Sequence, residues 1–216
     1  MYVEYNCSDA MKHITILGLF FISLLGHSQN FENEWTGLFS YASVKAISHG
    51  NDQIFAGSEN SVFSFDLVSQ ELSTISTING LSGESISTIY YSEGFGLLVI
   101  GYENGLIDIK IDGEEDILKV VDILEKPTIP PDRKRINDFY EFDGNLYIST
   151  QFGISVYDLS RLEFGDTYFI GDFGALLDIT QTTVLEPYIY ASSLGGGLRR
   201  ALVELENLID FEQGDA

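Results

Sequence analysis

His49, a run of carboxylates, a basic cluster and a glycine triplet are the places where this sequence could do chemistry. His49 stands beside Gly50-Asn51-Asp52. As a general base it would need a nucleophile and an orienting acid. Its place at the end of a predicted strand reads more simply as a turn histidine. Asp108-Ile-Lys-Ile-Asp-Gly-Glu-Glu-Asp116 resembles a calcium loop. An EF-hand needs Asp or Asn at the third position and Glu at the twelfth. Those positions hold Lys110 and Lys119, so the segment reads as a strand (Ile107, Ile109, Ile111) ending in a solvated Asp-Gly turn. Lys126-Pro-Thr-Ile-Pro-Pro-Asp-Arg-Lys-Arg135 is the basic cluster. It is either a docking loop or a proline-stiffened, solvated connection, and the second reading is preferred. Gly195-Gly-Gly197 lacks the strand-to-helix context of a phosphate loop. Paired carboxylates could cleave a glycoside, but no spacing singles out a pair. We therefore assign no catalytic, cofactor-binding or metal-ligating residue and expect no cofactor and no enzyme activity.

Composition narrows the partners. The 216 residues carry 33 acids against 11 bases, a formal net charge of -22. Phosphate backbones and anionic membranes attract clustered Lys and Arg, so nucleic acid and anionic lipid are excluded as partners. A hydrophobic share of 44% is that of a globular chain. Twenty-one Gly, 12 Tyr and 15 Phe lean toward β structure with tight turns.

The N-terminus reads as a processing segment. Lys12 and His13 precede an apolar run, Ile14 to Gly26. A basic flank before about 7–15 apolar residues is the pattern of a secretory signal peptide. Gly26-His27-Ser28 offers small residues at the positions a signal peptidase reads. The expectation is a start at Met11, cleavage after Ser28, and a mature chain at the cell surface or in the periplasm. Removing residues 1–28 takes away the single Cys and two of the three His, leaving His49. Metal sites built from His and Cys are then nearly excluded.

After residue 28 the sequence repeats. A short apolar run, a tight turn and a second run occur at 54–66, 98–110, 146–158 and 189–201. The turn residue is Ser61, Gly105, Gly153 or Gly197. Glycine suits a hairpin that needs positive φ; in the first copy Asn60 is expected to take that conformation instead. Each unit also has an earlier strand (44–48, 86–90, 136–140, 176–180) marked by an apolar residue three before another. A more polar strand follows each hairpin (71–76, 117–122, 166–170, 206–211). Units in the mid-forties made of four short strands indicate a β-propeller. The fold class is all-β, about four four-stranded blades of an incomplete, larger ring. Blades are expected at about 42–82, 83–131, 132–172 and 173–216. Gln29–Tyr41 could supply a strand that closes the ring.

The wording of the repeats adds a resemblance. Val62-Phe-Ser-Phe-Asp66 with Leu72 to Ser82 looks like the periplasmic propeller repeats of hybrid two-component sensors. Trp35 to Tyr41, Asn79-Gly-Leu-Ser82, Leu98 to Asp108, Arg135-Ile-Asn-Asp138, Leu146 to Leu159 and Asp166 to Gly171 together resemble the N-terminal propeller of PorZ-type proteins. That resemblance implies a noncatalytic subunit of the type IX secretion attachment complex. Its implied partners are a sortase-like protease and outer-membrane subunits. Anionic lipopolysaccharide would be met through a C-terminal domain outside this chain. A truncated PorZ-like propeller is thus the reading. The alternative is the ligand-sensing propeller of a membrane-bound hybrid histidine kinase, and a polysaccharide-cleaving propeller stands third.

Overall fold

Sixteen short strands, joined mostly by turns of two to five residues, fold into four antiparallel sheets. The computed structural model describes residues 43–203 and Glu212–Gln213. The predicted leader, the Gln29–Tyr41 strand and the outer strand predicted at 206–211 lie outside the described residues. The first sheet holds β1 (Ala46–Gly50), β2 (Gln53–Gly57), β3 (Val62–Asp66) and β4 (Leu72–Ile75). The second holds β5 (Ile86–Ser92), β6 (Leu97–Tyr102), β7 (Ile107–Ile111) and β8 (Ile117–Val120). The third holds β9 (Ile136–Phe142), β10 (Asn145–Thr150), β11 (Gly153–Asp158) and β12 (Glu163–Tyr168). The fourth holds β13 (Ile179–Leu185), β14 (Tyr188–Ser193), β15 (Gly197–Leu202) and β16 (Glu212–Gln213).

Strands lie side by side in chain order in every sheet, because tight turns can join only neighbours. The first strands of successive sheets abut: β1 on β5, β5 on β9, β9 on β13. They form the inner edge of the arc, and β4, β8 and β12 form its rim. This is the blade arrangement of an incomplete β-propeller.

The apolar pairs three residues apart have a physical cause. In a regular strand such residues point to opposite faces. A β-bulge restores them to one face. The β5–β6 register slips between Ile86 and Thr88, and the β9–β10 register slips between Ser149 and Thr150, so Ile136 and Asp138 pair with adjacent residues. Ile86 and Ile89, and likewise Ile136 and Phe139, thereby meet the preceding sheet. There they find glycine. A Cβ on Gly57 would lie 2.9 Å from Ile89 Cγ2, and one on Gly101 would lie 2.9 Å from both Ile136 Cγ2 and Phe139 Cζ. Ser149 holds the equivalent place in the third sheet, and its Oγ meets Thr182 Oγ1 of β13 at 2.8 Å.

Three apolar clusters fill the three seams. Phe55 and Val62 pack with Ile86, Ile89 and Leu98. Val99 and Ile109 pack with Ile136, Phe139 and Ile148. Tyr147 and Ile154 pack with Ile179, Ile189 and Ala191.

Several sequence expectations shift. The fourth inner strand starts at Ile179, not Leu176; the bulge pair there is Ile179 and Thr182, and Leu176 lies in the connection. The β13–β14 turn at Glu186-Pro187 sets this register by pairing Leu185 with Tyr188. The third outer strand starts at Glu163, and the first inner strand at Ala46 without a bulge. Asn60 is not among the residues with positive φ. Its four-residue loop closes by the Ser58 N–H donating to the Ser61 carbonyl at 2.8 Å, which needs no left-handed residue.

Candidate binding surfaces

Each connection between sheets is fastened to the third strand of the sheet it enters, directly in the second and fourth sheets and through Thr167 of β12 in the third. The fastening sites share one register position in the three sheets that a connection enters: Asp108 pairs with Lys119, Ser155 with Thr167 and Arg199 with Gln213. Their chemistry differs. The Asp108 carboxylate is fully buried. It accepts from the Ser82 N–H at 2.9 Å, the Ser82 hydroxyl at 2.8 Å and the Tyr102 hydroxyl at 2.7 Å. Lys119 Nζ lies 3.7 Å away and donates to Ser82 Oγ at 2.7 Å. Burial, then the bond to Asp108, push the Tyr102 phenol far above its ordinary range. Gly80, with φ 99°, ends the short 3-10 turn Thr77–Asn79 and brings Ser82 to this carboxylate.

At the next seam Lys126 donates to Thr167 Oγ1 at 3.1 Å, and Thr167 in turn meets Ser155 at 3.1 Å. At the third seam the polarity reverses. Arg199 donates to the Ile170 carbonyl and to Asp172 Oδ1, both at 2.7 Å.

These latches decide the sequence candidates. Asp108 is a structural anchor inside β7 and is separated from the exposed 113–116 turn. The basic cluster is largely spent on the fold. Lys126 holds Thr167, buried Lys134 donates to the Leu124 carbonyl at 2.5 Å, and Arg135 pairs with Glu103 at 3.4 Å. Arg133 ends an exposed 3-10 turn. His49 is exposed on β1, Gly195 lies within the β14–β15 turn and Gly197 opens β15. No group of three or more metal-binding side chains occurs among the described residues.

The two ends of the arc differ in charge. Hairpin turns 51–52, 67–71, 93–96, 112–116, 143–144, 159–162 and 186–187 gather at one end, with nine acids and one base. Loops 58–61, 103–106, 151–152 and 194–196 and the connections 76–85, 121–135 and 169–178 gather at the other, with eight acids and four bases. At the turn end Asp112 accepts from Tyr91 Oη at 2.5 Å and Asn51 Nδ2 at 2.9 Å. Asp66 and Asp158 hold the turns that follow β3 and β11. Backbone N–H donors of Ser69 and Val68 keep the Asp66 carboxyl below the usual range. The Ser160 hydroxyl and then the Arg161 N–H do the same for Asp158.

A cleft of about 420 Å³ opens along the inner edge between the third and fourth sheets. Asp138, Tyr140, Gln181, Thr183 and Tyr190 help to line it. Asp138 and Gln181 each follow the bulge of an inner strand, so the two strands present equivalent positions here. Burial pushes the Asp138 carboxyl up to about 6, opposed by the Phe139 backbone N–H. Sequence reasoning missed this carboxylate. Its surroundings come from a strand forty residues further on.

The comparisons with known proteins follow the geometry. The model for the TSS9 PorZ N-terminal β-propeller domain matches residues 54–214. No curated protein matches the chain. Among solved structures, PorZ of Porphyromonas gingivalis superposes with a TM-score of 0.68 at 24% identity, over 82% of this chain and 22% of that one. That protein is described as an essential bacterial surface component of the type IX secretion system. The extracellular domain of BT4673 from Bacteroides thetaiotaomicron, described as a hybrid two component system, gives 0.61 at 16% identity, over 79% and 22%. The computationally designed Ika4 gives 0.57 at 10% identity, over 77% of this chain and 96% of that one. At such identities these likenesses speak for the fold, and the chain spans about a fifth of the length of PorZ. On the family match over most of its length, the chain belongs to the PorZ N-terminal β-propeller family.

Proposed function

We propose that the chain acts as a noncatalytic scaffold outside the cytoplasm, supporting type IX secretion through contacts with other proteins. The family match carries this reading. The site chemistry supports it. The buried polar groups of the latches serve to fasten connections to sheets, and the two ends offer broad polar surfaces. Within this reading the partners are a sortase-like protease and outer-membrane subunits that process and attach cargo. The net charge of -22 disfavours direct contact with anionic lipopolysaccharide, in keeping with a protein partner. Deleting the gene in its own bacterium should leave cargo unattached to the cell surface, and the intact gene should restore attachment. Normal attachment in the deletion strain would refute the proposal.

The likeness to BT4673 favours a second reading, a sensor propeller that binds a small ligand. It predicts lost transcriptional induction by that ligand in the deletion strain, with cargo attachment intact.

A further inference from the structure

The inner cleft between the third and fourth sheets has a polar lining that is only partly used. Thr182 Oγ1 is paired with Ser149 Oγ at 2.8 Å, and Ser192 Oγ with Thr180 Oγ1 at 2.7 Å. The Tyr140 hydroxyl donates to the Val184 carbonyl at 3.4 Å. The hydroxyls that would read a sugar are therefore largely committed. Asp138 is different. Its carboxylate has no ion pair among the described residues, and the Phe139 backbone N–H is its hydrogen-bonding neighbour. Across the cleft the equivalent residue of β13 is Gln181, an exposed amide whose carbonyl can accept.

A half-buried carboxylate without a counter-charge calls for a cation. The walls say which kind. Tyr140, Tyr190 and Leu198 make them largely aromatic and apolar. A strongly hydrated ammonium or metal ion gains little from such walls. A guanidinium is weakly hydrated, stacks on aromatic rings and fits a carboxylate with two parallel N–H bonds. The fourth sheet already uses this chemistry: the Arg200 guanidinium sits 4.7 Å from the centre of the Tyr188 ring. The acidic chain also draws cations toward its surface.

We propose that this cleft binds the guanidinium of an arginine side chain presented by a partner protein, with Asp138 as its counter-ion and Gln181 as a second acceptor. The site stands on its own geometry, independent of the secretion reading. A failure to bind arginine leaves the gene-deletion result untouched, and the reverse also holds.

The test is an NMR titration of the intact chain with N-acetyl-arginine amide, with maltose as a neutral polyhydroxyl probe. Saturable amide shifts should centre on β9 and β13 around Asp138 and Gln181. Asp138→Asn should weaken binding by about tenfold, the worth of one charge-assisted bond. The isosteric amide keeps the fold, because it removes a desolvated charge. Gln181→Ala should weaken binding less, and Glu115→Gln, in an exposed turn at the acidic end, should leave it unchanged. Saturable binding of maltose in place of arginine at the cleft would overturn the proposal. So would arginine shifts spread over the acidic end and unaffected by Asp138→Asn, or no saturable shift at all.

Discussion

Leu146 and Ile54 hold the same place in the repeat, yet Leu146 is fully buried and Ile54 is 41% exposed. The contrast extends to the sheets around them. The second and third sheets are covered on both faces, and β6 is buried along its whole length. The first and fourth sheets each meet one neighbouring sheet among the described residues. They leave Ile47, Val68, Leu72, Leu185, Leu194 and Leu198 more than half exposed. A blade strand is thus apolar by repeat but buried by its neighbours. The stability of the middle sheets rests on seams, whereas the outer sheets hold apolar surface available to whatever covers them.

The contrast can be broken by substitution. Leu146→Ala should cost about 2–5 kcal/mol, because it opens a cavity in a closed seam. Ile54→Ala, at the same repeat position, should cost under about 1 kcal/mol, since much of the side chain is already wet. Denaturant melts of the two variants measure the difference. Equal losses would mean that the first sheet is as well covered as the third.

The latches should respond next. Asp108→Ala leaves the buried Tyr102 hydroxyl and the Ser82 N–H without their acceptor, at a cost of about 2–3 kcal/mol. Ser64→Ala, in the third strand of the first sheet, removes a bond to Ser73 alone and should cost about 1 kcal/mol. Thermal melts read both. Gly101→Ala should cost about 1–3 kcal/mol, because the new methyl meets the Ile136 and Phe139 side chains of a packed seam.

The smallest effect has the opposite sign. Asp138 has a folded value of about 6, above its usual 3.8. The ionised form is penalised by folding, so stability rises as pH falls from above 6 toward 3.8. Asp138→Asn removes the penalty. The variant should be more stable than the wild type above pH 6 by under about 1 kcal/mol after solvent screening. The gap should close as pH drops below the usual carboxylate value. Melting curves across that range check it, and a wild type more stable at pH 8 would show that Asp138 already has a cation.

The hairpins were legible in the sequence because their signals are local. An apolar run, a turn residue and a second run recur at nearly even spacing. The bulged inner strands were legible where both members of the pair are apolar, as at Ile86/Ile89 and Ile136/Phe139. The fourth was misplaced because its true pair ends in Thr182, and Leu176/Ile179 imitated the pattern. The latches left no sequence signal. Asp, Ser and Arg do one job with different chemistry, and register alone makes Asp108, Ser155 and Arg199 equivalent. The Asp138 cleft was illegible for a related reason: its other wall comes from the next sheet.

The central claim is that the chain works through protein contacts in type IX secretion. Site-specific photo-crosslinking in the native bacterium tests it most directly, with the reactive residue placed in turn at exposed positions on both ends of the arc. The account predicts covalent adducts with the sortase-like protease or an outer-membrane secretion subunit, clustered at one end. A fully expressed protein that forms no adduct with any secretion subunit from either end would contradict it.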